Sequence, residues 1–249
     1  LMLKTYGIIG FPLQHSFSQK YFTGKFATEG IKDCVYRNFP IPAIGKLPEL
    51  LSLETSLIGL NVTIPYKKSV LGYLDRREKL PEGLDACNCI RIQNGELIGY
   101  NTDVIGFERS LLPLLEQQHT QALILGNGGA AEAVRFVLHK LGIPYRVVSR
   151  KLQAGTSLTY ADLDESVIRS HTLIINTTPL GTFPEVETYP DIPYSFLSKN
   201  HLLYDLVYNP AKTVFLQKGE AAGAAIKNGY EMLLIQAEES WRIWNENQD

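Results

Sequence analysis

Cysteine is scarce in this chain: of 249 residues only Cys34, Cys87 and Cys89 carry a thiol. Three thiols build no even disulfide framework, and Cys87-x-Cys89 lacks the two-residue spacer and the second half of a zinc site. The cysteines are therefore expected to be reduced, and no metal is expected. Excess charge is missing as well, with a formal net charge of −2 and a pI near 6.3. Without a broad positive field, neither nucleic acid nor an anionic membrane is expected as a partner, and any anion must be held locally. No apolar run reaches the ~20 residues that span a bilayer. The opening LMLKTYGIIG has no basic leader with a cleavage site, so a cytoplasmic protein is expected. Repeats and low-complexity tracts are absent, and a hydrophobic fraction of 45% with 20% charged residues excludes a disordered or fibrous chain.

What is present is an alternation of short β-type runs with helical stretches. In the first hundred residues YGIIG at 6–10, CVYRNF at 34–39 and SLIGLNVT at 56–63 bracket two helical candidates, the rhythm of βαβ units. Ser16 and Ser18 stand where a loop meets the first helix, Phe22 and Phe26 share one of its faces, and Gly30 is placed to end it. Pro65 suits the first turn of a further helix, where its missing N–H would be unpaired anyway, and Lys67 would lie in that turn. CIRIQNGELIGY at 89–100 is two β-rich runs joined by Asn94-Gly95, the strongest short hairpin signal, because both turn positions need positive φ. The hairpin leads to Asn101-Thr102-Asp103. Asp103 precedes an apolar spacing that is helical up to Pro113, so helix N-cap and catalytic group are both open readings.

A second alternation starts at QALILG (121–126), passes through a helix ending at Leu141-Gly142, and continues with YRVVSR (145–150), TLIINTT (172–178) and HLLYDLV (201–207). This is a dinucleotide-fold layout. Residues 151–160 and 181–200, rich in Gly, Pro, Ser and Thr, are expected to be loops, and YEMLLIQAEESWRIW from Tyr230 to Trp244 is expected to form a helix packing back on the first lobe. After the strand ALIL comes Gly126-Asn127-Gly128-Gly129-Ala130-Ala131 and then a helical run. Glycines let the backbone approach a pyrophosphate, whose charge meets the helix N-terminus, although tight connections also use Gly for steric reasons alone. At the end of the next strand, where an NAD-specific fold commonly has an acid for the ribose 2′-hydroxyl, stand Ser149-Arg150-Lys151. Arg and Lys there suit a 2′-phosphate, hence NADP; a solvated basic strand end is the plain alternative.

In Asn61-Val62-Thr63-Ile64-Pro65-Tyr66-Lys67, Asn61 and Thr63 lie two apart and share a face, able to read a polyhydroxylated ligand or to cap a joint. Lys67 alone reads as a surface lysine, and Asn88 in DACNCI equally well as a structural hydrogen-bonding amide. Taken in order, however, Ser-x-Ser, NVTIPYK, Asn88, Asn101-Thr102-Asp103, the Gly-rich turn, Asn176-Thr177-Thr178-Pro179-Leu180-Gly181, Tyr208-Asn209-Pro210 and Gly229…Met232-Leu233…Gln236 resemble the shikimate dehydrogenase family over almost the whole chain.

The resemblance implies an α/β protein with an N-terminal α/β substrate domain, a Rossmann-like doubly wound dinucleotide-binding domain and a cleft between them. Residues 1–102, completed by the C-terminal helix at 230–249, would form the first, and residues 103–229 the second. It implies NADPH-dependent reduction of 3-dehydroshikimate to shikimate, with Lys67 and Asp103 as the catalytic pair. By matching positions, Ser16 and Ser18 hold the substrate carboxylate with Tyr208 nearby, and Asn61, Thr63, Asn88 and Gln236 bind ring hydroxyls. Gly126, Gly128, Gly129 and Ala130 match the pyrophosphate turn, Ser149, Arg150 and Lys151 the adenosine-phosphate site, and Thr177, Gly229 and Met232 the nicotinamide side. The chain is expected to act on this small molecule as a monomer or homodimer. Gln19 and Phe22-Thr23 depart from the family's usual residues, as do Asn88-Cys89 for its Asn-Thr step and Ser149-Arg150-Lys151 for its Asn-Arg-Thr. Keeping both serines favours shikimate over quinate. The alternatives are a quinate/shikimate dehydrogenase accepting NAD, a non-catalytic dinucleotide sensor, and a fold relative acting on folate intermediates, for which a Ser-x-Ser carboxylate site has no purpose.

Overall fold

The computed structural model describes residues 3–13 and 16–246; the outermost residues of the expected substrate domain lie outside these. The chain divides into two compact units, residues 1–102 with 236–249, and residues 103–235.

The first unit is built on β1 (Lys4–Gly10), α1 (Phe17–Thr28), β2 (Cys34–Pro40), α2 (Leu47–Leu53), β3 (Leu57–Val62), β4 (Cys89–Gln93) and β5 (Glu96–Tyr100). Its five-stranded sheet has the order β2-β1-β3-β4-β5. The first three strands run parallel, because α1 and α2 supply the long crossovers that parallel pairing requires. β4 and β5 are added antiparallel through the expected hairpin, in which Asn94 (φ 52°) and Gly95 (φ 84°) turn the chain and Gln93 pairs with Glu96. The period-2 alternation of β1 divides the core: Tyr6 and Ile8 join one apolar cluster with Phe22, Phe26 and Tyr36, while Ile9 joins another with Leu60, Val62, Tyr66 and Val70. α1 is capped by Ser16, whose Oγ accepts from Gln19 N at 3.0 Å, and Gly30 ends it with φ 66°.

No helix begins at Pro65. Residues 64–68 are turns, followed by a short 3-10 stretch, Ser69–Tyr73. Two bonds account for this. The Tyr66 hydroxyl is buried and donates to Ile41 O at 2.6 Å, and the Lys67 carbonyl accepts from Cys87 N at 2.8 Å. A carbonyl so engaged is drawn out of the i to i+4 ladder on which an α-helix depends.

The second unit contains α3 (Thr102–Leu111, its first residue belonging to the first unit), β6 (Ala122–Leu125), α4 (Gly129–Lys140), β7 (Tyr145–Ser149), β8 (Leu158–Thr159), α5 (Glu165–Ser170), β9 (Leu173–Asn176), β10 (Leu202–Asp205), α6 (Val214–Ala221), β11 (Ala225–Lys227) and the start of α7 (Tyr230–Asn245). All six strands pair parallel in the order β11-β10-β9-β6-β7-β8, the doubly wound arrangement with its switch between β6 and β9. β6, β9 and β10 are buried at every residue, which is why ALIL, LIIN and LLYD read as continuous rather than alternating runs. The loop expected over 151–160 contains the two-residue strand β8.

Asp103 is the second residue of α3, not its cap; the chain enters the helix through Asn101, whose side chain donates to Ala86 O at 2.9 Å. An acid in the first turn still meets the positive end of the helix dipole. The unit boundary falls inside α7, at Ile235/Gln236, rather than ahead of it at 230. In the C-terminal part of α7, Ala237, Ile243 and Trp244 enter the cluster around Tyr6, and Trp244 Nε1 donates to Ile90 O at 2.9 Å.

Candidate active site

A groove of about 700 Å³ opens in the second unit, lined by the Gly126–Gly128 turn, by Ser149, Arg150 and Lys151 beyond β7, by Gln153 and Tyr160, and by Thr177–Leu180 after β9. This is the switch-point end of the sheet, where open α/β folds take ligands. Gly126 has φ 106°, and a Cβ there would stand 2.8 Å from Thr177 Oγ1 and 2.9 Å from Thr178 Cγ2, so backbone conformation and space both require glycine. The turn runs into α4 through Gly128, leaving the first N–H groups of the helix available to an anion. Arg150 and Lys151 are exposed, and among the described residues no carboxylate lines the groove. Burial pushes the Tyr160 hydroxyl up, with the Arg150 charge acting the other way. A narrow turn for a pyrophosphate and exposed cations for a further phosphate fit NADP, and the lack of an acid among the described lining residues disfavours NAD.

Thr177–Leu180 is held from below by a buried carboxylate. Asp205 accepts from Asn176 Nδ2 at 2.9 Å, Val207 N at 3.0 Å and Thr213 Oγ1 at 2.5 Å. Asn176 Oδ1 in turn accepts from Thr178 N at 3.0 Å and Thr178 Oγ1 at 2.6 Å. Burial pushes the Asp205 carboxyl up to about 6, opposed by its three donors.

Of the cofactor residues expected from sequence, Gly126, Gly128, Ser149, Arg150, Lys151 and Thr177 line this groove, whereas Gly129, Ala130, Gly229 and Met232 do not. At Gly229 a Cβ would lie 2.1 Å from Leu206 O, so glycine lets the chain pass that backbone on its way into α7. Met232 is buried on α7. Asn127, Thr178, Pro179 and Leu180, named in the sequence only as parts of motifs, also line the groove, and sequence reasoning missed Gln153 and Tyr160. Gln153 and Tyr160 fall in the stretch read as loop, and the signal would have been a Leu158-Thr159 strand returning the chain to β7.

In the first unit, the polar side chains expected to meet substrate converge on two hydroxyls. Asn61 accepts from the Tyr36 hydroxyl at 2.7 Å and donates to Ser240 Oγ at 3.0 Å. Asn88 donates to Thr102 Oγ1 at 3.0 Å and accepts from Thr102 N at 2.6 Å. Thr102 Oγ1 lies 3.4 Å from Gln236 Oε1 and 3.3 Å from Ser240 Oγ. Asn61, Asn88 and Gln236 are all buried, so this network fixes how each amide points. Ser18 is buried on α1, while Ser16, Thr63 and Lys67 are half-buried. The backbone of Lys67 bonds to Cys87, next to Asn88, which bonds to Thr102, the residue before Asp103. In the second unit Asp103 is half-buried, as is Tyr208, whose hydroxyl is pushed up by burial. Among the described residues no group of three His, Cys, Asp or Glu could hold a metal, and no helix is long and apolar enough to cross a membrane.

The shikimate dehydrogenase (NADP(+)) of Methanococcus maripaludis strain S2 is 34% identical to this chain over 273 residues, covering 97% of the chain and 91% of the relative. The chain belongs to the shikimate dehydrogenase family. The model of the shikimate dehydrogenase substrate binding domain matches residues 8–90. Among solved structures, a chorismate mutase/shikimate 5-dehydrogenase fusion protein from Clostridium acetobutylicum superposes with a TM-score of 0.87 at 31% identity, covering 100% of this chain and 93% of that one. Shikimate 5-dehydrogenase from Thermus thermophilus, in complex with NADP(H) and shikimate, gives 0.85 at 27% identity, with 98% and 94% covered. The two-domain α/β architecture is thus that of the shikimate dehydrogenase family. The departure at Asn88-Cys89 places a thiol where the family has a hydroxyl. Cys89 is fully buried, which pushes that thiol well up, and it bonds to Ser240, a member of the amide network.

Proposed function

We propose that the protein catalyses the reversible NADPH-dependent reduction of 3-dehydroshikimate to shikimate. The observation that carries this is the convergence of Asn61, Asn88 and Gln236 on Thr102 and Ser240, in a unit whose sequence matches the family's substrate-binding domain. Oriented amides of this kind suit a polyhydroxylated ring, and relatives of this length carry the activity in their names.

Gly126, Gly128 and the entrance of α4 would hold the pyrophosphate of NADPH, and Arg150 with Lys151 its 2′-phosphate. When bound, the nicotinamide supplies the hydride that reduces the ketone. Charge then develops on the former carbonyl oxygen, and Lys67 gives it a proton from Nζ. Asp103, the second member of the pair, holds the neighbouring ring hydroxyl in place. Ser16 and Ser18, with Tyr208, receive the substrate carboxylate, and Thr63 joins the amides at the ring. Gly129 and Ala130 continue the pyrophosphate turn, and Thr177, Gly229 and Met232 shape the nicotinamide side.

Initial rates with shikimate and with quinate, each against NADP and NAD, test this. Shikimate with NADP should give by far the highest kcat/KM. Equal rates with quinate and NAD would move the assignment to a quinate/shikimate dehydrogenase, and tight NADPH binding without turnover would make the chain a sensor.

A further inference from the structure

The two ends of the dinucleotide groove are joined by a polar clamp outside the roles described so far. Asn127 belongs to the glycine turn, and its Nδ2 donates to Ala154 O at 3.1 Å. Arg135, in the second turn of α4, bonds Asn127 Oδ1 and also donates to Gly155 O at 2.9 Å. Arg135 does not itself line the groove, and Glu132 lies 3.6 Å from its guanidinium. Gly155 has φ 79°, and a Cβ there would meet the guanidinium nitrogens at 3.4 and 3.5 Å, so the guanidinium is packed over a left-handed loop residue. The remainder of the segment after β7 secures its own shape. Ser149 Oγ donates to Lys151 O at 2.5 Å, Thr156 Oγ1 bonds both N and O of Gln153 at 2.8 Å, and Ser157 N donates to Val147 O at 2.8 Å. Asn127 and Arg135 tie the middle of this segment to the pyrophosphate turn.

We propose that Arg135 and Asn127 are positioning residues that set the preference for a dinucleotide carrying a 2′-phosphate. The inference rests on the groove being an NADP site. The pyrophosphate and the 2′-phosphate are joined through one ribose, so the turn and the cationic loop must stand at a matching separation. A loop already held there loses less freedom when the ligand binds. A dinucleotide without the 2′-phosphate relies on the turn and gains little from the loop's position.

Dissociation constants for NADP+ and NAD+, read from quenching of tryptophan fluorescence without organic substrate, test the proposal alongside KM for both cofactors and for shikimate. Arg135→Ala should weaken NADP+ about tenfold and NAD+ less than about threefold, with KM for shikimate unchanged; Arg135→Lys should recover part of the loss. Gly155→Ala alters no charge but strains the loop against the guanidinium, and should shift the NADP+/NAD+ ratio in the same direction. Asn127→Ala removes both the acceptor for Arg135 and the donor to Ala154 without adding charge to the turn, and should shift the NADP+/NAD+ ratio in the same direction, which keeps the test open if Arg135→Ala fails to fold. A wild-type NADP+ preference that survives in these variants, or an equal loss for both cofactors, overturns the clamp. A wild-type protein without NADP+ preference overturns the NADP reading instead.

Discussion

At Lys67 the proposed chemistry asks for an ammonium beside an oxygen that gains charge, and its carbonyl bond to Cys87 N at 2.8 Å fixes where the side chain starts. Lys67→Ala should lower kcat by about 10²–10⁴-fold, the range for loss of a general acid, while equilibrium binding of shikimate stays within about threefold. Near-native turnover would remove Lys67 from the mechanism. Arg150→Ala should raise KM for NADPH by about tenfold or more and leave that for NADH nearly unmoved, because the lost charge-assisted bonds go to a phosphate that NADH lacks; parallel rises would place Arg150 elsewhere. Asp205 predicts a pH effect on stability. Its carboxyl stands at about 6 in the fold against 3.8 for the free group, so the folded state retains the proton longer than the unfolded chain. The corresponding stabilisation is complete below about pH 4 and is lost as pH rises through 6, a change of roughly 3 kcal/mol. Asp205→Asn removes this titration. Urea midpoints at pH 4.5 and 7.5 should therefore show the variant gaining on the wild type as pH rises, and a difference flat with pH would show that the three donors cancel the burial.

Among the elements, those carrying one strong local signal were legible in the sequence. Asn94-Gly95 forced the β4–β5 hairpin, ALIL, LIIN and LLYD declared buried parallel strands, and the glycine turn declared the start of α4. What escaped was set by distant partners. Pro65 suggested a helix, but the Tyr66 hydroxyl and the Lys67 carbonyl are bound by Ile41 and Cys87, and no local rule contains those contacts. β8 is two residues long and exists by pairing with β7, so Tyr160 and Gln153 could not be placed at the groove from sequence. The candidate site divides in the same way: the family resemblance nominated Asn61, Asn88 and Gln236, whereas their hub, Thr102 and Ser240, emerged from long-range contacts. The packing of α7 on β3 makes an element-scale prediction. A Cβ on Gly59 would lie 2.6 Å from the Trp244 ring, so Gly59→Ala displaces the tryptophan or the strand. Overpacking of this kind costs about 1–3 kcal/mol. Denaturant titration should show that loss with KM for NADPH unchanged, and an unaltered midpoint would mean that the ring moves aside freely.

For the whole molecule, the division of labour follows the division of the chain. The groove-lining residues all belong to the unit 103–235, whose core is built on Leu123, Val148, Ile174, Leu203 and Phe215. The amide network and the aromatic cluster of Tyr6, Phe22, Tyr36 and Trp244 belong to the other. The chain passes between the units inside α3 and returns inside α7, so one helix carries both Thr102 of the network and Asp103. A ligand that binds the native state alone stabilises it by RT ln(1 + [L]/Kd), about 2.7 kcal/mol at a hundredfold excess over Kd. For a chain of this size each kcal/mol raises the unfolding midpoint by roughly 2–4 °C, so saturating NADPH should raise it by about 5–10 °C. NADH at the same concentration should raise it less, in proportion to the logarithm of the affinity ratio. Differential scanning calorimetry over a series of cofactor concentrations checks both the size and the logarithmic slope. Equal shifts with the two cofactors would mean that Arg150 and Lys151 make no contact with a 2′-phosphate, and the basic end of the groove would then be a solvated strand terminus.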